Sequence, residues 1–195
     1  MRAFTGDASA AHDGTAIVDD TVRVFYTPLM HGRVRSPVKL REMLCVHFGV
    51  EIRVEEFVTS WLDFPAEDQS CMGLSGMSLG RDLRVGKRAP SINEKIVLHV
   101  ECASLDEYRS FLPGRTRQAE LKDLVIGYTG GFLEVDVALW LPRRAIGGAA
   151  LGTTTELGWT SAMPQTASAG RADERALVRA CQYAFDMENN FLTGT

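Results

Sequence analysis

Cysteine is scarce: Cys45, Cys71, Cys102 and Cys181 lie far apart in 195 residues, with no CxxC and no nearby histidine pair. Such spacing lacks the density of a disulfide frame and the paired ligands of a zinc site, so the thiols read as reduced. Long apolar runs are missing too. Nowhere do about 18 consecutive apolar residues occur, which leaves nothing to insert in a bilayer. The opening MRAFTGDASAAHDG has an early arginine but lacks the apolar core of a signal peptide. Cytoplasm is the default compartment. A net charge of −4, a pI near 5.6 and scattered Lys and Arg supply no basic field for nucleic acid or acidic membrane. No glycine run has the Walker lysine spacing, and Gly130-Gly131 follows a helical pattern where a phosphate loop should precede one. No cofactor is implied.

What is present is enough apolar residue, 45%, to bury one ordinary core or two small ones. The chain is organised by SPVKLREMLCVHFGVEIRVEEFV, Ser36 to Val58, because LKDLVIGYTGGFLEVDVALWL, Leu121 to Leu141, echoes it. Slid by 81 positions (121 − 40), Leu40 falls on Leu121, Met43 and Leu44 on Leu124 and Val125, His47 on Tyr128, Gly49 on Gly130 and Val54 on Val135. Each copy reads as an amphipathic helix, a glycine able to stop it in the left-handed conformation, and an alternating strand. A second echo, LGxxxxxG, follows at Leu79-Gly80 to Gly86 and at Leu151-Gly152 to Gly158. The expected fold is α+β: a small mixed sheet of about four strands with flanking helices, built from two related helix–strand units, about 36–86 and 117–158, with long loops.

In chain order, residues 1–22 read as a flexible arm, small and turn-rich. TVRVFYTPL suggests a short strand; Ser36 caps the first helix with Pro37 at its first position. Val50, Ile52 and Val54 then alternate with Glu51, Arg53 and Glu55. Pro65 to Asn93 reads as an irregular loop, uncommon in a compact domain unless it serves as a contact surface. Ile96 to Cys102 is a strand, and Ser104-Leu-Asp-Glu107 a capping box. The body spans 23–162. The tail, 163–195, carries an expected helix over Arg171 to Phe191. Trp61 and Trp140 are assigned to the core, while Trp159 is divided between interface and edge packing.

Catalytic patterns fail on context. Gly76-Met-Ser78-Leu-Gly80 fits the GxSxG elbow of a serine hydrolase, but AEDQSCMGLS before it is no strand and RDLRVGKRAPS after it no helix. His99 is the only histidine downstream, on a predicted strand. The four histidines form no HxxxH or HxH pair, so no metal site is expected, and His47 reads as a helix C-terminal residue favoured by the macrodipole. The recurring acids Glu51, Glu55, Glu134 and Asp136 read as a solvated or interfacial strand face rather than a general acid and base pair.

Taken together, HGRVRSPVKLREMLCVHFGVEIRVEEFVTSWLDFP, LGRDLRVGKR, LDEYRSFLPG, LKDLVIGYTGGFLEVDVALWL, LG and LGWTS, in order over His31 to Ser161, resemble the C-terminal half of the TssG family (ImpH, VasB) of the type VI secretion baseplate. The family is roughly twice as long, and its chains close soon after LGWTSW, where this one continues from Ala162. The resemblance implies a non-catalytic scaffold in a baseplate wedge with two copies of TssF, bridging to TssK trimers, with TssE nearby, on the cytoplasmic side of the inner membrane. Two related units suggest two related surfaces. The loops Cys71 to Asn93 and Arg143 to Gly158 are the expected contacts, with Arg81, Arg84, Lys87 and Arg88 in the first and Arg143, Arg144, Leu157 and Trp159 in the second. The rival readings are a serine hydrolase using Ser78 and a stand-alone adaptor or degenerate homologue outside any baseplate.

Overall fold

The computed structural model describes residues 18, 20–30, 34–71, 76, 78–81, 83, 86–146, 156, 158–160 and 176–185. Among the described residues, four helices, α1 (Asp20–Met30), α2 (Pro37–Phe48), α3 (Leu105–Ser110) and α4 (Thr116–Thr129), accompany six strands: β1 (Glu51–Glu55), β2 (Ser60–Asp63), β3 (Arg88–Ser91), β4 (Lys95–Glu101), β5 (Glu134–Pro142) and β6 (Leu177–Ala184). The main sheet is mixed, in the order β1-β4-β5-β6; β4 and β5 are parallel and the other pairs antiparallel, while β2 and β3 form a separate antiparallel ribbon. The parallel step from β4 to β5 runs through α3 and α4, because parallel strands need a crossover rather than a tight turn.

Both helix–strand units form as the sequence patterns require. Ser36 Oγ accepts from the Val38 N–H, and Pro37 occupies the first turn. Helices α2 and α4 each end on a left-handed glycine, Gly49 (φ 68) and Gly130 (φ 78), whose N–H closes on the carbonyl of Cys45 or Ile126. Leu40, Met43, Leu44 and Phe48 on α2 and Leu121, Leu124, Val125 and Tyr128 on α4 are buried against one face of the sheet, formed by Ile52, Leu98, Val100, Val135, Val137, Leu139 and Leu141. The strands of the two units flank β4 and run in opposite directions.

The other sheet face is polar. Arg53 pairs with Glu101 at 2.7 Å; Lys95 and Gln182 both reach Asp136, at 3.0 and 2.9 Å; Arg179 reaches Gln182 at 3.0 Å. A sheet built mostly of antiparallel strands tolerates such a one-sided arrangement.

Five expectations give way. TVRVFYTPL is helical, within α1: Val22, Tyr26 and Leu29 recur at helical spacing toward the core, and Arg23 grips both Asp123 carboxylate oxygens at 2.7 and 2.8 Å. The alternation seen over Val22, Val24 and Tyr26 is too short to separate the two periods. The arm's described residues, 18 and 20–22, belong with the fold, with Val18 buried and its N–H on Asp123. Trp61 lies outside the core, 63% exposed, because β2 sits in the two-stranded ribbon rather than the sheet. Trp140, assigned to the core with it, is half-buried on the opposite sheet face, where its indole N–H meets His99. The tail forms a strand, β6, and no described tail residue is helical. Leu139 faces Cys181 and Trp140 faces Arg179, so a bulge skips Ala180 and turns Val178 to the same side as Cys181 and Tyr183. That insertion produces the spacing of three that imitates a helix.

Candidate protein-contact loops

The first loop is rooted in the ribbon. Residue Phe57, with φ 59, turns the chain out of β1, and β2 then pairs with β3 from Ser60 opposite Ser91 to Asp63 opposite Arg88. Instead of one irregular excursion from Pro65 to Asn93, the chain is closed at its base: the Phe64 N–H donates to the Lys87 carbonyl at 2.9 Å, and Gln69 Nε2 to the Phe64 carbonyl at 2.9 Å. Arg81 is exposed in a turn, its N–H on the Ser78 carbonyl at 3.1 Å. Lys87 is exposed. Arg88 is exposed but ion-paired with Asp63, a surface pair that contributes only about 0–1 kcal/mol. Arg84 lies outside the described residues.

The second loop leaves β5 through a 3₁₀ turn, Arg143–Ala145, in which Arg144 is exposed and Arg143 half-buried. The Arg143 N–H donates to the Ala176 carbonyl at 3.0 Å, while Ala145 and Ile146 pack on the core. At the loop's far end Trp159 is half-buried. Its carbonyl accepts from Tyr108 Oη at 2.6 Å, and its ring meets Tyr183 edge-on at 6.2 Å. Trp159 thus packs at the edge of the core and anchors the loop. Glu156, held by Arg115 at 3.1 Å, accepts with its carbonyl from the Trp159 and Thr160 N–H groups. Leu157, like Leu151 and Gly152 of the second echo, lies outside the described residues.

The loops do not converge on one patch. Glu55, where the chain leaves for the ribbon, is level with Val97 near the start of β4, and β3 returns directly into that same end. Trp140, where β5 runs toward the second loop, is level with Glu101 at the other end of β4. Four residues of strand separate those levels (101 − 97), roughly 13 Å at 3.3 Å per residue.

One side-chain constellation escaped sequence reasoning. His99 Nε2 lies 2.7 Å from Glu55 Oε2, and Trp140 Nε1 donates to His99 Nδ1 at 2.9 Å. Since an indole N–H can only donate, Nδ1 is the acceptor and Nε2 carries the proton toward the carboxylate. Strand alternation placed each residue on a face; only the register brought the three together. Both ring nitrogens are thereby engaged, leaving none to activate Ser78, which opens a turn whose Arg81 and Leu83 N–H groups its own carbonyl accepts. Among the described residues 76, 78–81 and 83, none lies in a strand or a helix. Burial pushes the Cys102 thiol up to about 12 and raises that of Cys181, so neither is poised as a thiolate nucleophile. Among the described residues no group of three or more His, Cys, Asp or Glu could hold a metal ion, and no helix is long and apolar enough to cross a membrane. His47 ends α2 as expected, yet burial lowers its pKa, outweighing Glu120 at 3.9 Å; the neutral ring is favoured over the dipole-stabilised cation.

The class is that of a type VI secretion protein: the family model that matches residues 1–164 is described as type VI secretion, TssG. The chain belongs to the TssG family. The matched span extends ahead of His31 to residue 1 and ends before β6. Two solved structures share the fold. One is the type VI secretion TssK–TssF–TssG baseplate subcomplex seen by cryo-electron microscopy, with TM-score 0.65, 20% identity, and 91% of this chain covering 74% of that one. The other is the type VI secretion baseplate complex, with TM-score 0.64, 19% identity, and 93% of this chain covering 51% of that one. A search of curated proteins found none that matches.

Proposed function

We propose that the chain is a non-catalytic scaffold of the type VI secretion baseplate wedge, bridging TssF-like and TssK-like subunits on the cytoplasmic side of the inner membrane. The observation that carries this reading is membership of the TssG family over residues 1–164, supported by the fold shared with a chain of a TssK–TssF–TssG subcomplex. Two TssF-like copies, TssK-like trimers and a nearby TssE-like subunit complete the proposed surroundings. The two helix–strand units, as products of an internal duplication, present their loops at opposite ends of β4, a geometry suited to holding two partners apart. Exposed Arg81, Lys87 and Arg144 are the proposed contact residues, with Arg84 and Leu157 beside them in sequence and Arg88, Arg143 and Trp159 at the loop roots.

The test is to shorten residues 72–85 and 147–155 separately and co-purify each variant with TssF-like and TssK-like chains. Each shortening should weaken one of two contacts and leave the other. Unchanged stoichiometry and affinity in both variants would remove the paired-loop reading. Failure of the intact chain to co-purify with either partner would remove the baseplate role and leave a stand-alone adaptor.

A further inference from the structure

Strand β6 lies beyond the family match, which ends at residue 164. Up to residue 160 the described residues pair β5 only with β4, and its other edge is closed by β6 alone. An unpaired edge presents a row of backbone donors and acceptors that invites another strand. The register runs from Pro142 opposite Leu177 to Asp136 opposite Ala184 and is extended by the Phe185 N–H on the Val135 carbonyl at 2.9 Å. Its side chains enter defined places. Phe185 is buried in the core, Tyr183 Oη donates to the Phe111 carbonyl at 2.5 Å, and Cys181 packs beside Tyr108. Between Thr160 and Ala176 the sequence reads SAMPQTASAGRADER, a composition of small residues suited to a tether.

We infer that the outer edge of β5 is a strand-acceptor site, filled here by the chain's own β6 as a tethered donor. It accepts an extended segment running antiparallel to β5, apolar at the places of Val178 and Cys181 and aromatic at those of Tyr183 and Phe185; the molecule that fits is a second copy of this segment. Backbone pairing supplies general affinity and the alternate side chains supply selectivity. The tether decides the competition: at an effective concentration on the order of 1 mM, it lowers uptake of a free strand at about 10 µM by roughly 100-fold relative to a chain whose tether is cut. Displacing β6 would also remove one tie at each root of the second loop, Arg143 to Ala176 and Trp159 to Tyr183, while the Tyr108 hydrogen bond to the Trp159 carbonyl stays.

The experiment uses the full chain carrying one protease site within 165–170, cut after folding, and a fluorescent peptide of residues 176–185 followed by anisotropy. The cut chain should keep its circular dichroism spectrum and take up the peptide, while the uncut chain takes up roughly 100-fold less at about 10 µM peptide. A peptide carrying Tyr183→Asp and Phe185→Asp should bind at least about tenfold more weakly, since it loses both aromatic anchors. Loss of fold on cutting, no uptake, equal uptake by cut and uncut chains, or equal binding of the Asp-substituted peptide would each overturn the inference.

Discussion

Tyr128→Phe isolates the seam between the two helix–strand units with almost no change in volume. The Tyr128 hydroxyl accepts from the Ser36 N–H and donates to the Ser36 carbonyl, both at 2.9 Å, so α4 holds the N-terminal cap of α2 through one oxygen. Removing it leaves the carbonyl with its remaining donor, the Leu40 N–H at 3.2 Å, and the Ser36 N–H without its acceptor. One lost hydrogen bond contributes about 1 kcal/mol, and an orphaned half-buried amide about 1 kcal/mol more, at the low end because water can approach. The expected loss is therefore about 2 kcal/mol, or roughly 4–8 °C in melting temperature for a chain of this size. Urea unfolding followed by tryptophan fluorescence should show a lower midpoint with the same slope. Hydrogen exchange should rise first over residues 37–41. A loss below about 0.5 kcal/mol would mean that water already serves Ser36 and that the hydroxyl does not hold this seam.

Four further outcomes follow from the same structure. Gly49→Ala should cost about 1 kcal/mol by urea unfolding, since a Cβ there meets only open space and the penalty is that of the left-handed backbone. Gly130→Ala should cost somewhat more, because its Cβ would also lie 3.2 Å from the Phe132 ring. Stability should be fully present above pH 6.5 and decline as pH falls below it, because burial lowers the pKa of His47 and the unfolded chain then binds the proton more readily than the folded one. His47→Phe should flatten that decline in unfolding curves taken from pH 5 to 8. Leu139→Ala, at a fully buried position of β5, should cost about 2–5 kcal/mol and lower the calorimetric melting temperature accordingly.

Local signals were legible in the sequence wherever a residue's role depends on its near neighbours. The Ser36 cap, the Pro37 start, the stops at Gly49 and Gly130, the alternation in β1 and β4 and the Ser104 cap, whose Oγ accepts from the Glu107 N–H at 3.2 Å, all form as their spacing requires, while the Glu107 carboxylate accepts from the Ala103 N–H one residue before the cap. The errors share a cause. Helix α1 and strand β6 are short segments whose periodicity was ambiguous, and distant partners resolved each: Asp123 for α1, the edge of β5 for β6. A large ring suggests burial for Trp61, but burial also requires a second layer, and on the ribbon the ring stays 63% exposed. Among the candidate contact residues, sequence separated neither Arg88, which lies in β3, from its loop neighbours nor exposed Arg144 from Arg143, whose N–H ties the loop root to Ala176.

By itself the sequence determined the class, α+β, the two helix–glycine–strand units and the kinship with TssG, because caps, periodicity and motif order are carried within short windows of chain. Only the tertiary structure decided that β4 lies between β1 and β5, that the loops leave by opposite ends of it, that Glu55, His99 and Trp140 meet, and that residues far down the tail complete the sheet. Those features depend on pairings between segments some 40 to 100 residues apart. Register is a property of two strands at once, which no window over one of them contains.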